Sequence, residues 1–103
     1  MDKEIILAQE HNNDGQSVFL YYDAQSGGYV GFGLSAYYAD MVTNAPVSFS
    51  EEFQLPMAVY GRNDILDLRQ SMTMVEHTID KSYLFRVKQH IGHEGYERWL
   101  QQI

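Results

Sequence analysis

The sequence contains no cysteine and only two prolines among its 103 residues. Without cysteine the chain has no disulfides, no thiolate nucleophile and no thiolate metal ligand. Long apolar runs are also missing. Near the N-terminus only the four residues Ile5 to Ala8 are consecutively apolar, too few for a signal-peptide core or a membrane span. We therefore predict a cytoplasmic protein that does not enter a membrane.

Basic side chains are scarce in the first 61 residues. Lys3 is the one basic residue there against eight acidic ones, whereas residues 62 to 103 carry six of each sign. The formal charge of −7 therefore belongs to the N-terminal half, which would repel phosphate. This distribution predicts that the protein does not bind nucleic acid.

Length and composition are those of a small globular protein. The five Phe, eight Tyr and one Trp exceed what a disordered chain carries. A chain of this length usually forms one domain with one modest core. We predict a single domain over residues 1–103.

The pattern before Gly61 is that of short strands separated by turns. We predict strands at 4–9, 17–23, 29–35 and 53–60, with a short helix at 36–42 that Ser35 caps. The sheet would then be antiparallel, with three or four strands within residues 4–60.

The pattern after Asn63 is helical. Apolar residues recur at intervals of three and four, at Ile65, Leu68, Met72, Val75 and Ile79. Whether residues 63–91 form one long helix or two remains open, and a short helix follows from Gly95 to Ile103. The predicted fold class is α+β, the sheet packing against the long helix and the short C-terminal helix.

Three of the predicted strands are apolar on both of their alternating sides, which indicates a sheet covered on two faces. Three interpretations stay open for the second face: a helix covers it, a second subunit covers it, or it forms an aromatic ligand groove. The candidate binding residues of this face are Phe19, Tyr21, Tyr29, Gly31 and Gly33.

One segment has the composition of a metal site, His90-Ile91-Gly92-His93-Glu94 with Glu97 after it. Gly92 interrupts the helix that would fix the spacing of the two histidines, and the order differs from the His-Glu-x-x-His motif. The segment Gly31-Phe32-Gly33 resembles part of a dinucleotide-binding fingerprint but lacks its third glycine. We predict no metal, no cofactor and no catalytic residue.

Four acidic residues stand in predicted turns or beside them. They are either solvated or form an acidic patch that steers a basic partner. These residues are Asp14, Asp23, Glu51 and Glu52.

The sequence favours a non-enzymatic, bacterial protein-interaction module that binds a protein partner or associates with itself as a homodimer. One alternative is an acidic inhibitor or immunity-type protein that binds a basic partner. Another is a small-molecule binder that uses the aromatic sheet face. Strong salt dependence of binding would favour the acidic inhibitor over an apolar dimer.

Overall fold

The computed structural model describes residues 2–89 and 93–103. Within these residues the chain forms four helices and six strands. In chain order they are α1 (Lys3–His11), β1 (Ser17–Asp23), β2 (Gly28–Phe32), α2 (Gly33–Asp40), β3 (Val47–Ser50), β4 (Leu55–Tyr60), α3 (Arg62–Ser71), β5 (Thr73–Thr78), β6 (Ser82–Arg86) and α4 (Tyr96–Leu100). The predicted α+β class is confirmed.

All six strands belong to one antiparallel sheet in the order β3-β4-β2-β1-β6-β5. The first hairpin, β1 with β2, lies in the middle, and Leu20 is paired there with Gly31. The helix α3 connects β4 to β5 and so carries the chain from one side of the sheet to the other. The edge strands are β3 and β5.

The sheet has helices on both faces. On the face that we call the α2 face, Val18 and Leu20 pack with Tyr38 of α2 and Leu68 of α3. On the opposite face, the α1 face, Val30 and Phe32 pack with Ile6 of α1 and with Phe53. The short helix α4 attaches to α2, where the Trp99 indole donates a hydrogen bond to Asp40 at 2.9 Å. The expectation of a sheet covered on two faces therefore matches the structure, although α1 does the covering on one of them.

The predicted first strand at 4–9 is wrong, since these residues lie in α1. Asp2 caps this helix, because its carboxylate accepts hydrogen bonds from the amides of Glu4 and Ile5 at 3.1 and 3.3 Å. The two buried residues of the helix, Ile6 and Glu10, are four positions apart and so share one side of it. A run of four apolar residues fits a strand or a helix equally well. The capping hydrogen bonds of Asp2 favour the helix.

The predicted long helix is also wrong, and the sheet has six strands rather than three or four. The helix α3 ends at Ser71, and Met72 already has an extended backbone with φ −127° and ψ 166°. Residues Thr73–Thr78 and Ser82–Arg86 form a hairpin whose turn places Asp80 at φ 57°. β-branched residues in this segment favour the strand conformation.

Other predicted boundaries shift by a few residues. The second predicted strand, 17–23, coincides with β1. The third, 29–35, ends early because α2 begins at Gly33, and the fourth, 53–60, begins later, at Leu55. The C-terminal helix, predicted to run from Gly95 to Ile103, spans Tyr96–Leu100.

No helix in residues 2–89 or 93–103 combines the length and the apolar character that crossing a bilayer requires.

Leu68 tests the packing of α3, since its side chain is completely buried in the core of the α2 face. Leu68→Ala should lower the free energy of unfolding by about 2–5 kcal/mol, through lost apolar burial and the cavity left behind. Leu66→Ala on the same helix is the control, because Leu66 is 48% exposed. Chemical denaturation measures both variants, and equal small losses would contradict the packing described here.

Candidate functional site

A buried carboxylate and a buried hydroxyl meet where α1 approaches the start of α2. Glu10 Oε2 accepts a hydrogen bond from the Ser35 hydroxyl at 2.5 Å, and Glu10 Oε1 accepts one from the Ser35 amide at 3.1 Å. The Ser35 hydroxyl also accepts a hydrogen bond from the Phe19 amide of β1 at 2.9 Å. The Glu10–Ser35 pair therefore joins α1, β1 and α2 at one point.

Glu10 supplies the cap that α2 otherwise lacks. The residue before the helix, Phe32, makes no side-chain capping bond. A carboxylate at the start of a helix satisfies free amides and is favoured by the positive end of the helix dipole. Glu10 is thus an N-cap delivered from another helix rather than from the adjoining sequence.

Gly33 makes the close approach of Glu10 to α2 sterically feasible. Its φ is 58°, in the left-handed region that glycine adopts without strain. A Cβ atom at this position would lie 3.2 Å from Glu10 Oε1. The backbone angle therefore favours glycine here, and a larger residue would also crowd the Glu10 carboxylate.

Burial changes the acidity of Glu10. Removal from water raises the pKa of its carboxyl from the ordinary 4.5 to about 7, although the hydrogen bonds from Ser35 act in the opposite direction. A buried carboxyl with a pKa near neutrality is a common feature of active sites. A catalytic role for Glu10 would require that a substrate can reach this carboxyl.

The geometry argues against catalysis by the Glu10–Ser35 pair. Ser35 is completely buried, and its hydroxyl already holds the Phe19 amide and the Glu10 carboxylate. A cleft of about 810 Å³ borders Glu10 and is also lined by His11, His93 and Glu97. Both oxygens of Glu10 are nevertheless bonded to Ser35, which makes the pair a structural cap.

A second feature is a groove on the α1 face, between α1 and strand β6. It has a volume of about 530 Å³ and is lined by Ile5, Phe19 and Leu84, among others. The Tyr21 hydroxyl donates a hydrogen bond to the Gln9 side chain of α1, and burial raises the pKa of Tyr21 above its usual range. We call this feature the α1–β6 groove.

The hairpin beside this groove ends the sheet in an open edge. Every residue of β5 is exposed, and within the described part of the chain the sheet places no strand beyond it. Its bulge lies between Met74 and Glu76, so that Val75 has no residue opposite it on β6. Val75 is 51% exposed and Ile79, in the following turn, 77%.

The five residues predicted to form one binding face do not lie together. Phe19 and Tyr21 are on the α1 face and both line the α1–β6 groove. The pairing of Leu20 with Gly31 places Tyr29 and Gly31 on the α2 face, where Tyr29 packs against that core. Gly33 belongs to neither strand, since α2 begins there.

The four acidic residues are also dispersed. Asp14 forms a 3.2 Å ion pair with Arg86. Asp23 is the last residue of β1, whereas Asp14 precedes the first residue of that strand, Ser17. The two carboxylates therefore lie at opposite ends of β1. Glu51 and Glu52 are exposed in the turn between β3 and β4. They do not form one continuous patch.

The histidine segment at 90–94 falls partly outside the described residues, since residues 90–92 are not among them. His93 and Glu94 are exposed, and Glu97 lies in α4. Among residues 2–89 and 93–103 no cluster of three or more His, Asp or Glu side chains is arranged to hold a metal ion.

Comparison of the chain with protein-family models, curated proteins and solved structures finds no match.

Glu10 makes the stability of the protein depend on pH. Because its pKa is higher in the folded chain, the folded state binds a proton that the unfolded state has lost between pH 4.5 and about 7. The free energy of unfolding should therefore fall as the pH rises through this window. At 1.36 kcal/mol for each pKa unit, the loss is about 3 kcal/mol.

Glu10→Gln should abolish this part of the pH dependence, because the neutral amide has nearly the same shape and does not titrate. Urea denaturation at pH 5 and pH 8 measures the difference between the variant and the unmodified protein. Glu4→Gln is the control, since Glu4 lies on the same helix but is exposed. Parallel pH profiles for the Glu10→Gln variant and the unmodified protein would contradict the burial of a titrating Glu10.

Proposed function

We propose that the protein is an interaction module that pairs with a second copy of itself through the open edge of β5. The observation that carries this proposal is the edge itself, a strand of six residues that are all exposed. An unprotected edge presents unpaired amides and carbonyls, which are satisfied when another strand is added.

Exposed apolar side chains on and beside β5 are a second reason to place the interface at this edge. Met74, Val75 and Ile79 lie on or directly after β5 and are 40%, 51% and 77% exposed. Ile5, at 54%, borders the neighbouring α1–β6 groove. Concentrations of exposed apolar side chains often mark protein interaction sites.

A two-fold axis suits this edge. Antiparallel pairing of two β5 strands brings the start of one strand to the end of the other, so that Thr73 of one copy faces the region of Thr78 of the next. Such an interface uses the same patch twice and closes at two copies. The bulge at Val75 bends the edge, which limits the length that can pair.

Val75→Lys tests the dimer. A lysine on the edge strand places two like charges close together across the two-fold axis and should weaken dimerisation by about tenfold or more. Light scattering coupled to size-exclusion chromatography, run over a series of concentrations, measures the change.

Val59→Lys is the matched control. Val59 is 39% exposed but lies on β4, which is an inner strand. This variant should dimerise like the unmodified protein. A chain that stays monomeric at high concentration, or a dimer equally sensitive to both lysines, would exclude the proposed interface.

We do not propose an acidic inhibitor, because the four acidic residues are spread over the surface and one of them is paired with Arg86. The formal charge of −7 supports a related expectation, that nucleic acid is not a partner.

Fluorescence anisotropy with mixed-sequence DNA and RNA oligonucleotides should show no binding at physiological salt. A single-strand site needs basic side chains along the backbone as well as aromatic rings for stacking. One of the arginines, Arg86, already forms an ion pair with Asp14. Saturable binding in the micromolar range or tighter would refute this expectation.

A further inference from the structure

A small cleft with basic side chains lies at the end of the sheet where α3 begins. Its volume is about 320 Å³, and it lies between Gly27 and Gly28, where the β1–β2 turn leads into β2, and one side of α3. Arg62 and Arg69 of α3 both line it, and its lining contains no acidic residue. We call it the Arg62–Arg69 cleft.

The two arginines lie on one side of their helix. They are seven residues apart, which is two turns and about 10 Å along the axis, so both guanidinium groups can reach the same ligand. The ion pair between Asp14 and Arg86 is the one found among residues 2–89 and 93–103, so neither of these arginines is neutralised there. The nearby Asp64 already accepts a hydrogen bond from the Gly61 amide at 3.0 Å.

The opposite wall is aromatic. Tyr29 and the mostly buried Tyr83 both border the cleft, and their rings meet edge to face with their centres 4.8 Å apart. The imidazole of His77 on β5 stacks on the ring of Tyr83, and the two ring centres are 3.8 Å apart. This wall is therefore fixed in place before any ligand arrives.

Two glycines border the floor of the cleft. A Cβ atom on Gly28 would lie 2.8 Å from the Tyr60 carbonyl oxygen, so the protein itself fills the space beside this residue. Gly27 has a φ of 73° and nothing within 4 Å of its Cβ position. A ligand can therefore approach the backbone closely at Gly27.

We propose that the Arg62–Arg69 cleft binds a small anion that carries an aromatic ring, with a monoaryl phosphate as the simplest example. The guanidinium groups hold the anionic group by charge-assisted hydrogen bonds, and the ring packs on the half-buried Tyr29, which itself contacts the buried Tyr83. A volume of about 320 Å³ lies at the lower end of ligand pockets. The acidic remainder of the surface disfavours a long polyanion and leaves a small ligand as the fitting class.

Isothermal titration calorimetry with phenyl phosphate tests the proposal. Phenyl phosphate should bind saturably, and Arg62→Gln and Arg69→Gln should each weaken binding by about tenfold or more. Both arginines are exposed, so thermal unfolding should be unchanged in these variants. Inorganic phosphate, which lacks the ring, should bind at least about tenfold more weakly than phenyl phosphate.

Arg98→Gln is the matched control, because Arg98 is an exposed arginine on α4 and does not line the cleft. It should leave the affinity for phenyl phosphate unchanged. The proposal is overturned if phenyl phosphate does not saturate, if inorganic phosphate binds equally well, or if Arg98→Gln weakens binding as much as Arg69→Gln does.

Discussion

The Ser35 hydroxyl is the point at which three parts of the chain are tied together. It donates to Glu10 of α1 and accepts from the Phe19 amide of β1, while its own amide holds the second oxygen of Glu10. The pairing of β1 with β2 ends at Leu20, opposite Gly31. The neighbouring amide of β1, that of Phe19, donates its hydrogen bond to the Ser35 hydroxyl instead. Removing either member of the pair would leave a buried polar group without a partner, which costs more than the bond contributes.

This contact also fixes the two layers of helices relative to the sheet. The helix α1 packs on one face through Ile6, and α2 packs on the other through Tyr38. Because Glu10 reaches from the end of α1 to the start of α2, the two layers cannot shift independently. The covered centre of the sheet contrasts with β5, where every residue remains exposed. The proposed self-association uses this least covered element.

Local patterns in the sequence predicted part of the fold. The β-rich run between turn residues at 17–23 predicted β1 correctly, and the spacing of Ile65 and Leu68 predicted the buried side of α3. The same spacing continued to Val75 and Ile79 by coincidence, although both are exposed and α3 ends at Ser71. Periodicity alone does not show where a helix stops, and the β-branched residues after Ser71 were the competing signal.

The candidate sites depend on pairings between distant residues and were harder to predict. Glu10 and Ser35 are 25 residues apart, and nothing local indicates that a glutamate in one helix caps another. The grouping of Tyr29 with Phe19 failed for a similar reason. The face on which a strand residue lies follows from the register with its neighbour, and a shift by one residue reverses it. Only the spacing of Arg62 and Arg69, seven residues apart on one helix, indicates from the sequence that they lie on the same side of α3.

Direct titration of the Glu10 carboxyl by carbon-13 NMR tests the central contact most closely. Glu10 should titrate with a pKa of about 7 in the folded protein. Ser35→Ala should raise this pKa further, because the hydrogen bond from the Ser35 hydroxyl stabilises the charged form. A Glu10 that titrates near its ordinary 4.5 and does not respond to Ser35→Ala would contradict the buried contact that joins α1, β1 and α2.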